Sequence, residues 1–137
     1  MKPSELRTGF ATALRQIHGL TVSTTQNSNI QPPHALISLP SGQYDSTFGR
    51  GSDQLTLQVI VYIARADDPV GLELLDDYVA GHGSRSVKAV LEEPTDTGLA
   101  DAMVRVRSYD VGTASSPDGS EWLAATFEIE AVVSGIG

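Results

Sequence analysis

The sequence predicts an α+β domain, with a mixed, mainly antiparallel sheet, helices packed on one face, and a long C-terminal β-hairpin. Three observations carry this. Leu55, Leu57, Val59, Val61 and Ile63 alternate with Gln54, Thr56, Gln58 and Tyr62, the two-residue period of a strand with one buried and one at least partly polar face. Strands of all-parallel sheets are buried on both faces and seldom alternate so cleanly, so an antiparallel or mixed sheet is favoured. Leu123, Ala125, Phe127, Ile129, Ala131 and Val133 alternate in the same way against Glu128 and Glu130. Helical periodicity appears between these runs and before them: Leu6, Phe10, Ala13, Leu14 and Ile17 fall at i, i+4, i+7, i+8 and i+11, one apolar stripe of a helix.

A chain of 137 residues, 40% of them hydrophobic and 19% charged, has the composition of a folded protein and room for one core, so residues 1–137 are read as a single domain. The first helix is expected from Pro3 to Ile17, opened by Pro3 or Ser4 and stopped by Gly19. A short strand around Leu20 to Ser23 leads into the polar TTQNSNIQPP, then a second strand from Ala35 to Leu39, broken by Pro40, Ser41 and Gly42. Gly42 to Ser52, with Tyr44, Phe48 and Gly49-Arg50-Gly51, reads as an exposed excursion or hairpin. The poor apolar content of Thr24 to Pro33 and Gly42 to Ser52 predicts that they become ordered only against a partner.

After the long strand, Asp67-Asp68-Pro69 is a helix start, with Val70, Leu74, Leu75 and Tyr78 on the buried side. Gly81-His82-Gly83 ends that helix, and Ser84 or Ser86 caps a short successor holding Val87, Val90 and Leu91 before Pro94. Met103 to Val111, a turn at Ser116-Pro117-Asp118-Gly119, and Glu121 to Val133 form the terminal hairpin. Its second arm is well beyond the mean strand length of about five to six residues, so it is expected to project past the core and offer an intersubunit contact. The core is expected to contain Leu6, Phe10, Leu14, Leu57, Val59, Val61, Leu74, Leu75, Phe127 and Ile129.

A formal charge of −8 disfavours free nucleic acid as a ligand, because phosphates would be repelled. With no cysteine, disulfides, thiolate metal sites and cysteine nucleophiles are excluded. No secretion signal and no run of about eighteen apolar residues is present, so a soluble, unsecreted protein with no membrane partner is expected. His18, His34 and His82 lie far apart in sequence without HxxxH spacing, and no metal site is read from them. The adjacent carboxylates Asp67-Asp68, Asp76-Asp77 and Glu92-Glu93 read as caps and solvated faces, since successive helical residues point about 100° apart. Gly81-His82-Gly83-Ser84-Arg85-Ser86 offers amides and a guanidinium to an anion, but lacks GxxxxGK[ST] and reads first as a helix stop followed by a serine cap. Gly49-Arg50-Gly51 precedes a strand rather than a helix, and no serine sits in GxSxG. No catalytic residue and no cofactor is expected.

Arg105 and Arg107 share a strand face by spacing and, with Arg65, could form a basic patch facing an acidic surface of a neighbouring copy. Equally, they could pair across the hairpin with Glu128 and Glu130.

The order of segments carries a resemblance. An N-terminal helix, PPHALISLP, a YDSTFGRGSD excursion, the strand LTLQVIVYIA, the helices DDPVGLELLDDYV and SRSVKAVLEE, and a hairpin ending EWLAATFEIEAVV together resemble the small tail terminator and tail completion proteins of siphophages, the lambda tail terminator type, over nearly the whole chain. The resemblance implies an α+β domain that assembles as a homo-oligomeric ring, commonly a hexamer. Such a ring caps the tail tube protein, ends its polymerisation and meets the head connector, while genomic DNA passes through the lumen without specific binding. It further implies a virion location at the head-proximal end of the tail, with host cytoplasm during assembly, and no enzymatic activity. On this reading Arg65, Arg105, Arg107, Glu128, Glu130, Tyr44, Phe48 and Arg50 are the interface residues. A tail tube or head–tail joining subunit is the related alternative, and a small-molecule enzyme with a concave polar pocket the more distant one.

Overall fold

A computed structural model describes residues 3–23, 33–38, 41–43, 52–66, 68, 71–93, 98, 102–115 and 119–134. The elements run α1 (Pro3–Leu14), β1 (Thr21–Ser23), β2 (His34–Ile37), β3 (Ser41–Gln43), β4 (Ser52–Arg65), α2 (Gly71–Val79), α3 (Val87–Glu92), β5 (Ala102–Ser115) and β6 (Glu121–Ser134). The strands form one sheet in the order β1-β2-β4-β6-β5, with β3 also paired to β4. Among the described residues only β1 and β2 are parallel; the other ladders are antiparallel. The fold is therefore the mixed, mainly antiparallel α+β arrangement that the alternation implied.

The core lies between the sheet and the three helices. Leu6, Phe10, Ala13 and Leu14 of α1 are fully buried, as are Leu57, Val59 and Val61 of β4 and Phe127, Ile129 and Ala131 of β6 to within 1% exposure. Cross-strand register explains the packing: Leu57 stands opposite Ile129, Val59 opposite Phe127, and Val61 opposite Ala125. Nine of the ten expected core residues are buried and Leu74 is partly so, packed against the cluster. α1 ends at Leu14, short of Ile17, because the chain tightens into i to i+3 turns: the Gln16 and Ile17 amides donate to the Ala13 and Leu14 carbonyls. Ile17 is nonetheless 1% exposed. The apolar stripe outlasts the helix.

The start of α2 also differs from expectation. The Asp68 amide donates to the Arg65 carbonyl and the Gly71 amide to the Asp68 carbonyl, so a turn precedes the helix, which begins at Gly71. A Cβ on Gly71 would stand 3.0 Å from the Ala64 Cβ and 3.3 Å from Leu123 Cδ2, so glycine lets the helix sit down on the sheet at this end. Ser86 is the cap of α3, its hydroxyl accepting from the Ala89 amide at 3.1 Å and donating to the Ala80 carbonyl.

Ser41 and Gly42 do not simply break the chain. They belong to β3, where Gly42 faces Leu55 so closely that a Cβ would lie 2.7 Å from its Cδ2. β3 therefore takes up the start of the segment read as an excursion or hairpin. Residues 24–32 and 44–51, on which the order-on-binding expectation falls, lie outside the described residues.

The sheet face away from the helices is not uniformly polar. Tyr62, read above as part of the polar side, forms a second buried cluster with Trp122 and Ala124, against Leu36, Ile60 and Ala114. His34 joins this face opposite Tyr62, 3% exposed, with Nε2 2.9 Å from the Ser23 hydroxyl. Burial holds its imidazole below the ordinary value. Elsewhere that face carries polar residues, among them Gln58 and Glu128, both exposed, beside Val132 and Met103.

Candidate interaction surface

β5 closes one side of the sheet and pairs only with β6 among the described residues. Its burial divides it in two. In the first part Ala102 and Val106 are buried, under α3; from Arg107 to Thr113 every residue is exposed. The backbone is divided at the same point, because the Val106 amide donates to Glu92 Oε2 at 2.9 Å, and Lys88 holds that carboxylate through both oxygens at 2.6 Å. Val106 thus points its amide away from β6, and Glu92 of α3 reaches over to cap it. In a strand, side-chain face and the edge to which the backbone groups point alternate together. Tyr109, Val111 and Thr113, which share the helix-side face with Val106, therefore direct their amides and carbonyls outward as well, beyond the reach of the Glu92 cap.

That shared face depends on a β-bulge. Val106 stands opposite Ile129 and Ser108 opposite Glu128, leaving Arg107 as the extra residue. Without it, alternation would place Tyr109 and Val111 on the far face. With it they lie on the helix side, 56% and 37% exposed, with the Tyr109 ring 6.4 Å from that of Phe127. Leu72, 59% exposed, lies on α2. It is seven residues from Val79, hence within about 20° of it around α2, and Val79 lines a groove of about 440 Å³ with Lys88, Val106, Tyr109 and Phe127. Met103, 78% exposed, lies on the opposite face in the first part of β5.

The structure keeps Arg105 and Arg107 together beside Glu130 and separates Arg65 from them. Arg107 Nη1 lies 3.1 Å from Glu130 Oε2, the cross-hairpin pairing, while the Ser108 hydroxyl donates to Glu128 at 3.4 Å. Arg105 faces Glu130 in register, is exposed, and has no ion pair among the described residues. Arg65 is elsewhere: it is in register with Trp122, eight positions from Glu130 along β6, roughly 26 Å at about 3.3 Å per residue. Its guanidinium lies 5.4 Å from the Trp122 ring centroid, a cation–π contact. Arg65 therefore does not extend a patch with Arg105 and Arg107. Tyr44, Phe48 and Arg50 lie outside the described residues.

A polar pocket of about 430 Å³ brings together His18, His82, Asp77 and Arg85, two histidines that sequence separation had kept apart. Arg85 is tied to Asp77 at 3.3 Å. Burial raises the neighbouring Tyr78 phenol above its ordinary value; Arg85 works against that shift and Asp77 with it. Among the described residues no group of three or more His, Cys, Asp or Glu is placed to hold a metal, and no helix is long and apolar enough to cross a membrane.

The fold and this surface define a class, an α+β domain whose mainly antiparallel sheet ends in one long, half-open edge strand. Neither a protein family model nor a curated protein matches the sequence.

Proposed function

We propose that the chain is a non-enzymatic structural subunit of a bacteriophage tail, acting as a homo-oligomeric ring, most simply a hexamer, that caps the tail tube, ends its polymerisation and joins the tail to the head connector. The observation that carries this reading is the terminal hairpin, whose β5 arm is exposed at Met103, Arg105 and Arg107 on the face away from the helices, a surface suited to contact between subunits. The order of elements, which resembles the siphophage terminator type, supports it. In this reading Arg105, exposed in a chain of net charge −8, meets a carboxylate of the neighbouring subunit, and Arg107 stays with its own Glu130.

Sedimentation of the chain with and without tail tube protein, beside negative-stain images of capped tubes, tests the ring. Reversing Arg105 and Arg107 to glutamate should weaken it, with circular dichroism unchanged, because exposed charges contribute only about 0–1 kcal/mol to the fold. A folded monomer that caps tubes of defined length would defeat the reading.

A further inference from the structure

We propose that two copies of this chain pair through the open half of β5, antiparallel about a two-fold axis, with Val111 of one copy opposite Val111 of the other. This inference does not rest on the tail reading: a two-fold contact closes on itself and cannot build a ring.

The first part of β5 is closed to an added strand, since α3 overhangs it and Glu92 occupies the outward Val106 amide. From Ser108 onward the outward backbone groups meet no strand among the described residues, and an exposed edge of this kind is a template for pairing. The side chains then select both the partner and the register. With Val111 on the axis, Tyr109 stands opposite the second copy's Thr113, Ser108 opposite Ala114, and Asp110 opposite Gly112. Asp110 is the one charged residue between Ser108 and Ser115, so here it meets a residue without a side chain. Moving the axis to Asp110 would set two carboxylates against each other, and moving it to Tyr109 would set Val111 against the bulged Arg107, which has no paired position of its own. The register on Val111 also gathers Tyr109 and Val111 of both copies on the helix side, two of the large hydrophobic residues exposed among the described residues. A register in which like charges stay apart and the exposed apolar side chains of the edge meet their own counterparts selects a second copy as its occupant.

The chain has no cysteine, so a single introduced thiol reports the contact. Residues in a hydrogen-bonded antiparallel pair have Cα atoms about 5.5 Å apart, within disulfide reach. Under mild oxidation Val111→Cys should give a covalent dimer, and Met103→Cys, on the closed part of β5, should not. Sedimentation equilibrium of the unaltered chain should give twice the 14.5 kDa subunit mass. Val111→Lys should raise the dissociation constant about tenfold or more, as two like charges meet on the axis, with circular dichroism unchanged. Raising the salt concentration should tighten the pair, because copies of net charge −8 repel one another, and Arg105→Glu should leave it intact. A monomer at millimolar concentration, equal crosslinking at positions 103 and 111, or an oligomer indifferent to Val111→Lys would overturn the proposal. Capture of a foreign extended peptide by this edge, with the chain otherwise monomeric, would overturn it too. Loss of tube capping in Arg105→Glu bears only on the ring.

Discussion

Phe127→Ala is the substitution that asks most of the fold. The side chain is 1% exposed, sits in β6 between Val59 of β4 and Tyr109 of β5, and touches the Tyr109 ring at 6.4 Å and an interplanar angle of 45°. Removing it forfeits the transfer free energy of a buried ring and leaves a cavity; such changes cost about 3–5 kcal/mol. Phe127 also lines the groove beneath Val79, so part of the cavity opens toward solvent and can be rehydrated or filled by Tyr109. That places the expectation near the lower bound, about 3 kcal/mol, still a large share of the roughly 5–15 kcal/mol that holds a typical domain together. Urea denaturation followed by fluorescence reads it directly, since the sole tryptophan, Trp122, lies in the buried cluster on the other face of the same strand. A loss below about 1 kcal/mol at an unchanged denaturant slope would show that β6 is not the centre of the core.

Ser86→Ala removes the α3 cap and strands both the Ala89 amide and the Ala80 carbonyl at a fully buried position; a loss of about 1–2 kcal/mol in the same assay is expected. For His34, burial depresses the folded pKa, so the unfolded chain takes up the proton first as pH falls. Its contribution to stability is present above the unfolded value of 6.5 and is lost progressively below it. The difference in denaturation midpoint between the parent and His34→Gln, followed from pH 7.5 to 5, should therefore shrink as pH falls, and a constant difference would contradict the assignment. Deleting Arg107 removes the bulged residue and leaves Val106 opposite Ile129 and Ser108 opposite Glu128; a change within about 1 kcal/mol is expected, as for exposed positions generally. Amide exchange showing loss of the β5–β6 ladder in that variant would refute the bulge.

Most of the architecture was legible because burial imposes a period. In β4 and β6 alternation named the buried face residue by residue, and in α1 the stripe found Leu6, Phe10 and Leu14. Element ends were less legible, as at α2, where Asp68 builds a turn through its backbone carbonyl before a helix that begins at Gly71. The surface was read least well. Exposure of Tyr109 and Val111 depends on how far the helix layer reaches over β5, and the capping of Val106 by Glu92 depends on a contact between residues 14 apart in sequence. The meeting of His18 and His82 likewise arises from the turn after α1 and the loop after α2 coming together, which spacing along the chain does not encode.

Two single-residue irregularities change which face the side chains beyond them occupy. Counting by twos along β4 from Leu55 to Ile63 would put Arg65 on the buried face, but the register slips between Tyr62 and Ala64. The slip turns Ala64 toward Gly71 and leaves Arg65 over Trp122 on the far face. Along β5 the slip between Val106 and Ser108 sets Arg107 apart from the alternation and directs it to Glu130, while Tyr109 and Val111 turn to the helix side. Each bulge costs one position of ladder pairing and re-aims every side chain beyond it. The first seals a tryptophan beneath a guanidinium at one end of the sheet; the second converts the end of an edge strand into an apolar surface. A reading that assumes unbroken alternation therefore errs at the surface residues beyond each bulge, where the contacts proposed for this chain are made.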